Sequence, residues 1–340
     1  MRSFNQRLDG KMSRGSTDHP TNQVDSKKLR LTICQFDSNP LTSSEIEKED
    51  SQNVYSFAGL KHDVDRPSET HPKGTVVDLV EHNFERAKDM IIQASSIGSQ
   101  LIIFPEYFLT GLVDGKVRLV IDELGVRSIL DRFRGLAKSY QIDIVTGTIV
   151  EGVDTPSTPI QKLSNTCYYI DKLGEVVGRY RKKNLWYLTP GTDDNHVFVS
   201  NGVRVGLLIC WDLSWPEAFR ELMREGVELI VIPSYWTLEK GSNSLINSYD
   251  QDGKHESGLI DSMINSRSLE NRCFLAFVNC AGKIQDGFIG RSSVHVTLLG
   301  DLIRLDGPDE ASETVDIDFK VLNDVEEIYK IKRDYLRKNF

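Results

Sequence analysis

A chain of 340 residues, 39% hydrophobic and 27% charged, holds enough apolar material for one large α/β domain or two smaller ones. Its formal net charge of -9 argues against nucleic acid or an anionic membrane surface, which both attract a basic face, and leaves a small molecule as the expected partner. Cys34, Cys167, Cys210, Cys273 and Cys280 make no CxxC pair and leave one over, which suits a reducing compartment better than a disulfide framework.

Residues 1–28 are polar and rich in Ser, Asp and Lys, and read as a disordered arm with no secretory signal. The expected location is the cytoplasm; Arg2, Arg7, Lys11 and Arg14 hint at a mitochondrial presequence, which Asp9 and Asp18 interrupt. Residues 29–36 (LRLTICQF) have the length and β-branched content of a strand, and 38–76 read as a polar surface insertion. A helix is predicted over 77–97, where Val80, Phe84, Ala87, Met90, Ile91 and Ala94 share a face, and it feeds a strand at 101–104. Ile129, Leu130, Phe133 and Leu136 mark a second helix, and 142–150 (IDIVTGTIV) a buried strand. A hairpin follows with its turn at 171–174. Beyond it alternate a strand at 203–210, a helix at 215–224, a strand at 227–233, a helix at 259–271 and a strand at 274–279. This alternation, with hairpins mixed in, predicts helices covering the faces of mixed sheets.

Three segments set a reactive side chain just beyond an apolar strand, where open α/β sheets build their sites. Glu106, in LIIFPEYFLTG, leaves the strand at 101–104 among Phe104, Tyr107 and Phe108, a setting that suits a carboxylate to proton transfer. In GRYRKKNLWYL most cations serve to solvate a strand end, but alternation aims Lys182 where Tyr180 points, with Arg181 and Lys183 facing away. An ammonium carried into a cleft in this way stabilises a thiolate or an oxyanion. Cys210 ends an apolar strand before a short turn and a helix with Pro216 in its first turn, the strand–turn–helix form that presents a nucleophile beside free backbone N–H groups. A lone cysteine is more often a packed one, and its place at the strand exit is what favours catalysis. Ser214 and Glu217 have the spacing of a capping box, which gives that acid a structural task, and Asp212 reads as a turn residue.

Together these stretches, FPEYFLTG, YRKKNL and ICWD followed by WPEAFREL, resemble the nitrilase, or carbon–nitrogen hydrolase, superfamily in the order glutamate, lysine, cysteine. RSLENRCFLAFVN, with Arg267, Glu270 and Asn271 on one helix, and GRSSV near residue 290 add to the likeness. The resemblance implies an αββα sandwich over residues 29–320, followed by a helical tail at 321–340. It also implies a homodimer with four layers, αββααββα, and a Glu106–Lys182–Cys210 site that needs no metal or organic cofactor. Cys210 would attack an amide-like carbon after Glu106 takes its proton, with Lys182 and the backbone N–H of Trp211 on the oxyanion. Two departures stand out: residues 184–202 lack the further glutamate that many relatives carry, offering only Asp193 and Asp194, and the insertion has no counterpart.

Rival readings are weaker. A papain-like protease needs a histidine near Cys210 and none of the seven is so placed, His295 falling inside a strand; no Cys/His spacing suits zinc. An inactive binding or scaffold member is the alternative from another class. Among substrates, nitrilases usually carry Glu two residues after the nucleophile, where this chain has Asp212, and N-carbamoyl hydrolases often place Arg where it has Leu213 and Ser214. An amide without a carboxylate at that spot is therefore expected, with Tyr235 and Trp236 as pocket walls and Arg220 as the residue able to contradict it.

Overall fold

The computed structural model describes residues 27–38, 76–111, 125–153, 162–184, 196–238, 249 and 254–338. Nearly all of the arm 1–28 and of the insertion 38–76 lies outside these residues, as do Asp193 and Asp194. Six helices are described: α1 (Val76–Ser96), α2 (Val126–Tyr140), α3 (Pro216–Arg224), α4 (Lys254–Asn271), α5 (Lys320–Tyr329) and α6 (Ile331–Lys338). They accompany two mixed sheets.

In the first sheet, β1 (Lys28–Gln35), β2 (Leu101–Ile103) and β3 (Asp143–Val145) run parallel, with β13 (Ala311–Asp318) antiparallel along the free side of β1. β5 (Lys162–Ile170) pairs antiparallel with β3, with β4 (Ile149–Val153) and with β6 (Val176–Arg181). The second sheet has the order β12 (Gly300–Asp306), β11 (Gly290–Val296), β10 (Phe274–Val278), β9 (Leu229–Pro233), β8 (Val203–Leu207) and β7 (Val197–Ser200). Its central strands β8, β9 and β10 are parallel.

Period-2 alternation decides which sheet face each side chain joins. Leu29, Leu31 and Ile33 of β1 and Leu101 and Ile103 of β2 enter one core with Val205, Leu207, Leu229, Val231, Leu275 and Phe277 of the facing sheet. Ile102, Ile144, Tyr168 and Ile170 point the other way, under Val80, Phe84 and Ile91 of α1 and Phe133 of α2. Phe219 and Leu222 of α3 and Ile260 and Ile264 of α4 are buried against the second sheet. The layers are therefore α–β–β–α, held chiefly by apolar burial worth about 1.5–3 kcal/mol per large side chain.

The hairpin turns at 171–174 as expected, with Gly174 at φ 82° and Asp171 accepting the N–H groups of Leu173 and Glu175. Three expectations need correction. The strand at 142–150 is two strands, β3 and β4, broken where Gly147 takes φ +60°; a Cβ there would stand 2.0 Å from the Pro105 carbonyl oxygen. The strand at 203–210 ends at Leu207, and Cys210–Ser214 forms a 3₁₀ turn. No capping box forms from Ser214 to Glu217: that turn runs through Ser214, so Trp215 becomes the N-cap of α3 and no side chain caps it.

Candidate active site

Glu106, Lys182 and Cys210 converge at one end of the sandwich from three different strands. Glu106 lies just past β2, on a chain that can pass because Gly147 has no side chain. Lys182 follows β6. There Tyr180 and Lys182 turn inward and are buried, while Arg179 and Arg181 reach the Glu151 carboxylate instead. Cys210 opens the 3₁₀ turn after β8 at φ 46°, and Tyr107, next to Glu106, sits at φ 54°. Left-handed backbone at two non-glycine residues costs about 1–3 kcal/mol each, and strain of this kind gathers at functional sites.

The Lys182 ammonium donates to Glu106 Oε1 at 2.8 Å, with the two side chains only 7% and 1% exposed. Asn165 Nδ2 donates to the same oxygen at 2.6 Å and to the Tyr107 hydroxyl at 2.9 Å, and the Tyr235 N–H donates to Glu106 Oε2 at 2.9 Å. Cys210, 8% exposed, lies beside the Glu106 carboxylate and the Tyr235 N–H. Burial first, and then the Glu106 charge, push this thiol well above the usual cysteine range, with Lys182 pulling the other way. Burial opposes the charge on Lys182, but Glu106 and Cys210 outweigh it and hold the ammonium above the ordinary lysine range. The resting arrangement is thus a protonated thiol beside a carboxylate pinned by three donors, one of them the Lys182 cation.

Asp212 is no ordinary turn residue. It is fully buried: its Oδ2 accepts from the Tyr180 hydroxyl at 2.8 Å and the Ile209 N–H at 2.9 Å, and its Oδ1 from the Asn184 N–H at 3.1 Å and Nδ2 at 2.8 Å. One carboxylate thereby ties the segment bearing Lys182 to the turn bearing Cys210. Burial raises it above the usual carboxylate range despite these donors.

Aromatic rings surround the trio. Tyr107 meets Tyr235 edge-on at 6.0 Å, Tyr235 meets Phe288 at 5.6 Å, and Trp211 lies 5.3 Å from Trp236 between ring centroids. The Trp236 indole is anchored on Glu256 and its backbone N–H on Asn279. Arg220 points elsewhere, donating to the Glu270 carbonyl at 2.6 Å and lying 4.9 Å from the Tyr335 ring of α6. His295 is held by Asp301 at 2.7 Å. Among the described residues, no group of three His, Cys, Asp or Glu side chains could hold a metal ion, and no helix is long and apolar enough to cross a membrane. Sequence reasoning missed Asn165. The signal was a polar residue in β5 on the inward register it shares with Cys167 and Tyr169.

The model of the carbon–nitrogen hydrolase family matches residues 74–326, and the chain belongs to that family. The 2-oxoglutaramate amidase of Bacillus subtilis is 26% identical over 252 residues, covering 72% of this chain and 88% of that protein. A carbon–nitrogen hydrolase from Helicobacter pylori G27 superposes with a TM-score of 0.67 at 18% identity, covering 90% of this chain and 95% of that one. A mutant of the amidase from Nesterenkonia sp. AN1, showing covalent addition of the acetamide moiety of fluoroacetamide at the active site cysteine, superposes at 0.59 with 21% identity, covering 93% and 97%. Relatives and solved structures agree with the αββα fold, and the chain is a carbon–nitrogen hydrolase.

Proposed function

We propose that this hydrolase is an amidase that cleaves small amides through a thioester on Cys210. Glu106 takes the thiol proton as the sulfur attacks the carbonyl carbon, and the carbonyl π electrons move to oxygen. Lys182 and the Trp211 N–H face that oxyanion. Collapse breaks the C–N bond, and Glu106 returns the proton to the leaving nitrogen, so ammonia or an amine departs. Water then attacks the thioester with Glu106 as base, giving the carboxylic acid and the free thiol.

The observation that carries this reading is the buried Lys182–Glu106 contact of 2.8 Å with the Cys210 thiol beside it. A thiol held protonated by burial needs a base during attack, and the adjacent carboxylate supplies one. The cysteine adduct in the Nesterenkonia amidase and the amidase activity of the Bacillus relative point the same way. Both oxygens of Asp212 are occupied and Arg220 is turned to α4 and α6, which leaves the aromatic side chains of Tyr107, Trp211, Tyr235 and Trp236 to receive an uncharged acyl group. Ammonia release from propionamide tests the proposal. Wild type should release it and Cys210→Ala should not; equal release would refute it, and release from nitriles alone would favour the nitrilase branch. The family resemblance further supports a homodimer without a cofactor and the cysteine usage a cytoplasmic location, and a sedimentation mass of one chain at micromolar concentration would refute the dimer.

A further inference from the structure

Asn165 is 4% exposed in the middle of β5, a position where an apolar residue would satisfy the sandwich core. Its amide spends both Nδ2 hydrogens on the site, one on Glu106 Oε1 at 2.6 Å and one on the Tyr107 hydroxyl at 2.9 Å. Its Oδ1 is buried without a hydrogen-bond partner among the described residues. Turning the amide over would direct that oxygen at a carboxylate, so Glu106 itself dictates the orientation. The Asn165 backbone carbonyl accepts the Lys182 N–H at 2.9 Å, which fixes the lysine segment to the same residue. An orphaned buried acceptor is a standing cost that Val or Leu would remove, so the side chain is kept here for what its donors hold.

We propose that Asn165 is a positioning residue for the proton-transfer carboxylate: it locks Glu106 and the Tyr107 phenol into one arrangement against Lys182 and Cys210. The inference rests on the proposed role of Glu106. Besides Asn165, the Glu106 carboxylate meets the Lys182 ammonium and the Tyr235 N–H, its charge also acts on Tyr107, Cys210, Cys167 and Cys280, and among the described residues Lys182 is the positively charged group against it.

The test uses the full chain with Asn165→Leu, which keeps the shape and removes both donors, and Asn165→Asp, which puts a second carboxyl against the first. With propionamide, Asn165→Leu should lower kcat by about 10- to 100-fold, the range for one charge-assisted hydrogen bond, with little change in KM. In Asn165→Asp the introduced carboxyl can still donate while protonated, so activity should persist at acid pH and fall as the pH rises and the two carboxylates repel. A residue that merely filled space would not produce that inverted profile. Alkylation of Cys210 by iodoacetamide gives a reading that needs no turnover, because Glu106 is the strongest charge acting on the thiol. Its rate against pH should be displaced from wild type in both variants. Superimposable alkylation profiles, or a kcat within about twofold of wild type in Asn165→Leu, would overturn the inference. Absence of ammonia release by wild type would instead overturn the proposed function, and alkylation would still decide the part of Asn165.

Discussion

Removing Lys182 should damage stability as well as rate, and the two losses can be separated. In Lys182→Met the Glu106 carboxylate, 1% exposed, loses a donor at 2.8 Å and the positive charge that lies against it. Breaking a buried ion pair from one side costs about 3–5 kcal/mol. Asn165 Nδ2 and the Tyr235 N–H still hold the carboxylate, so the low end of that range, about 3 kcal/mol, is expected. Glu106→Gln should cost a similar amount by stranding the ammonium. The double variant removes both charges and should recover to within about 1.5 kcal/mol of wild type, because a buried pair replaced as a whole is often neutral. A coupling of about 4.5 kcal/mol in urea denaturation is therefore predicted, with all three variants failing to release ammonia at the wild-type rate. Lys182→Met alone should lose about 3–4 kcal/mol of transition-state stabilisation. The Lys182 pKa is raised in the fold, so its contribution is complete below the ordinary lysine range and is lost only as the pH climbs through the higher folded value. The coupling should accordingly be flat around neutrality. Additive stability losses, or an active double variant, would refute the reasoning.

Glu106→Gln should move two assays in opposite directions. Loss of the charge that raises the Cys210 thiol speeds its alkylation by iodoacetamide near neutral pH, while acylation by an amide stops for want of a base; parallel changes would count against general-base catalysis. In wild type, burial places the thiol above its ordinary range, so alkylation should go on rising with pH past the usual cysteine titration, and a plateau there would contradict the burial. Asp212→Asn should cost about 1–3 kcal/mol in urea denaturation and lower kcat, because an amide NH₂ in place of one oxygen would face two donors; unchanged kcat would show that the turn holds itself. Gly147→Ala should lose at least about 2 kcal/mol, since it adds left-handed strain to a clash with the Pro105 carbonyl, and activity should fall as Glu106 is displaced. A wild-type melting curve would refute that contact.

The trio was legible because each member leaves an apolar strand whose pattern is local: Leu101–Ile103, Val203–Leu207 and the hairpin strand ending at Arg181 all announce themselves by residue type. What the sequence hid depends on partners far along the chain. The break at Gly147 answers to Pro105, forty-two positions earlier, so the run IDIVTGTIV reads as one strand until the two segments are brought together. The frame of α3 depends on Asp212, which accepts the Ile209 N–H and holds the 3₁₀ turn closed through Ser214; nothing in the SWPE pattern itself reveals that shift. Asn165 showed only as an inward polar residue in a strand, a mark that gains meaning once Glu106 is known to lie against it.

Intact-protein mass spectrometry during turnover tests the central claim most directly, with a panel of short-chain amides, ω-amides of dicarboxylic acids, nitriles and N-carbamoyl amines. A thiol that passes through a thioester must carry the acyl part of its substrate as added mass. The prediction is an acyl adduct on Cys210 from an amide, absent in Cys210→Ala and Glu106→Gln. An adduct mapped to Cys34, Cys167, Cys273 or Cys280, or full turnover by Cys210→Ala, would contradict it.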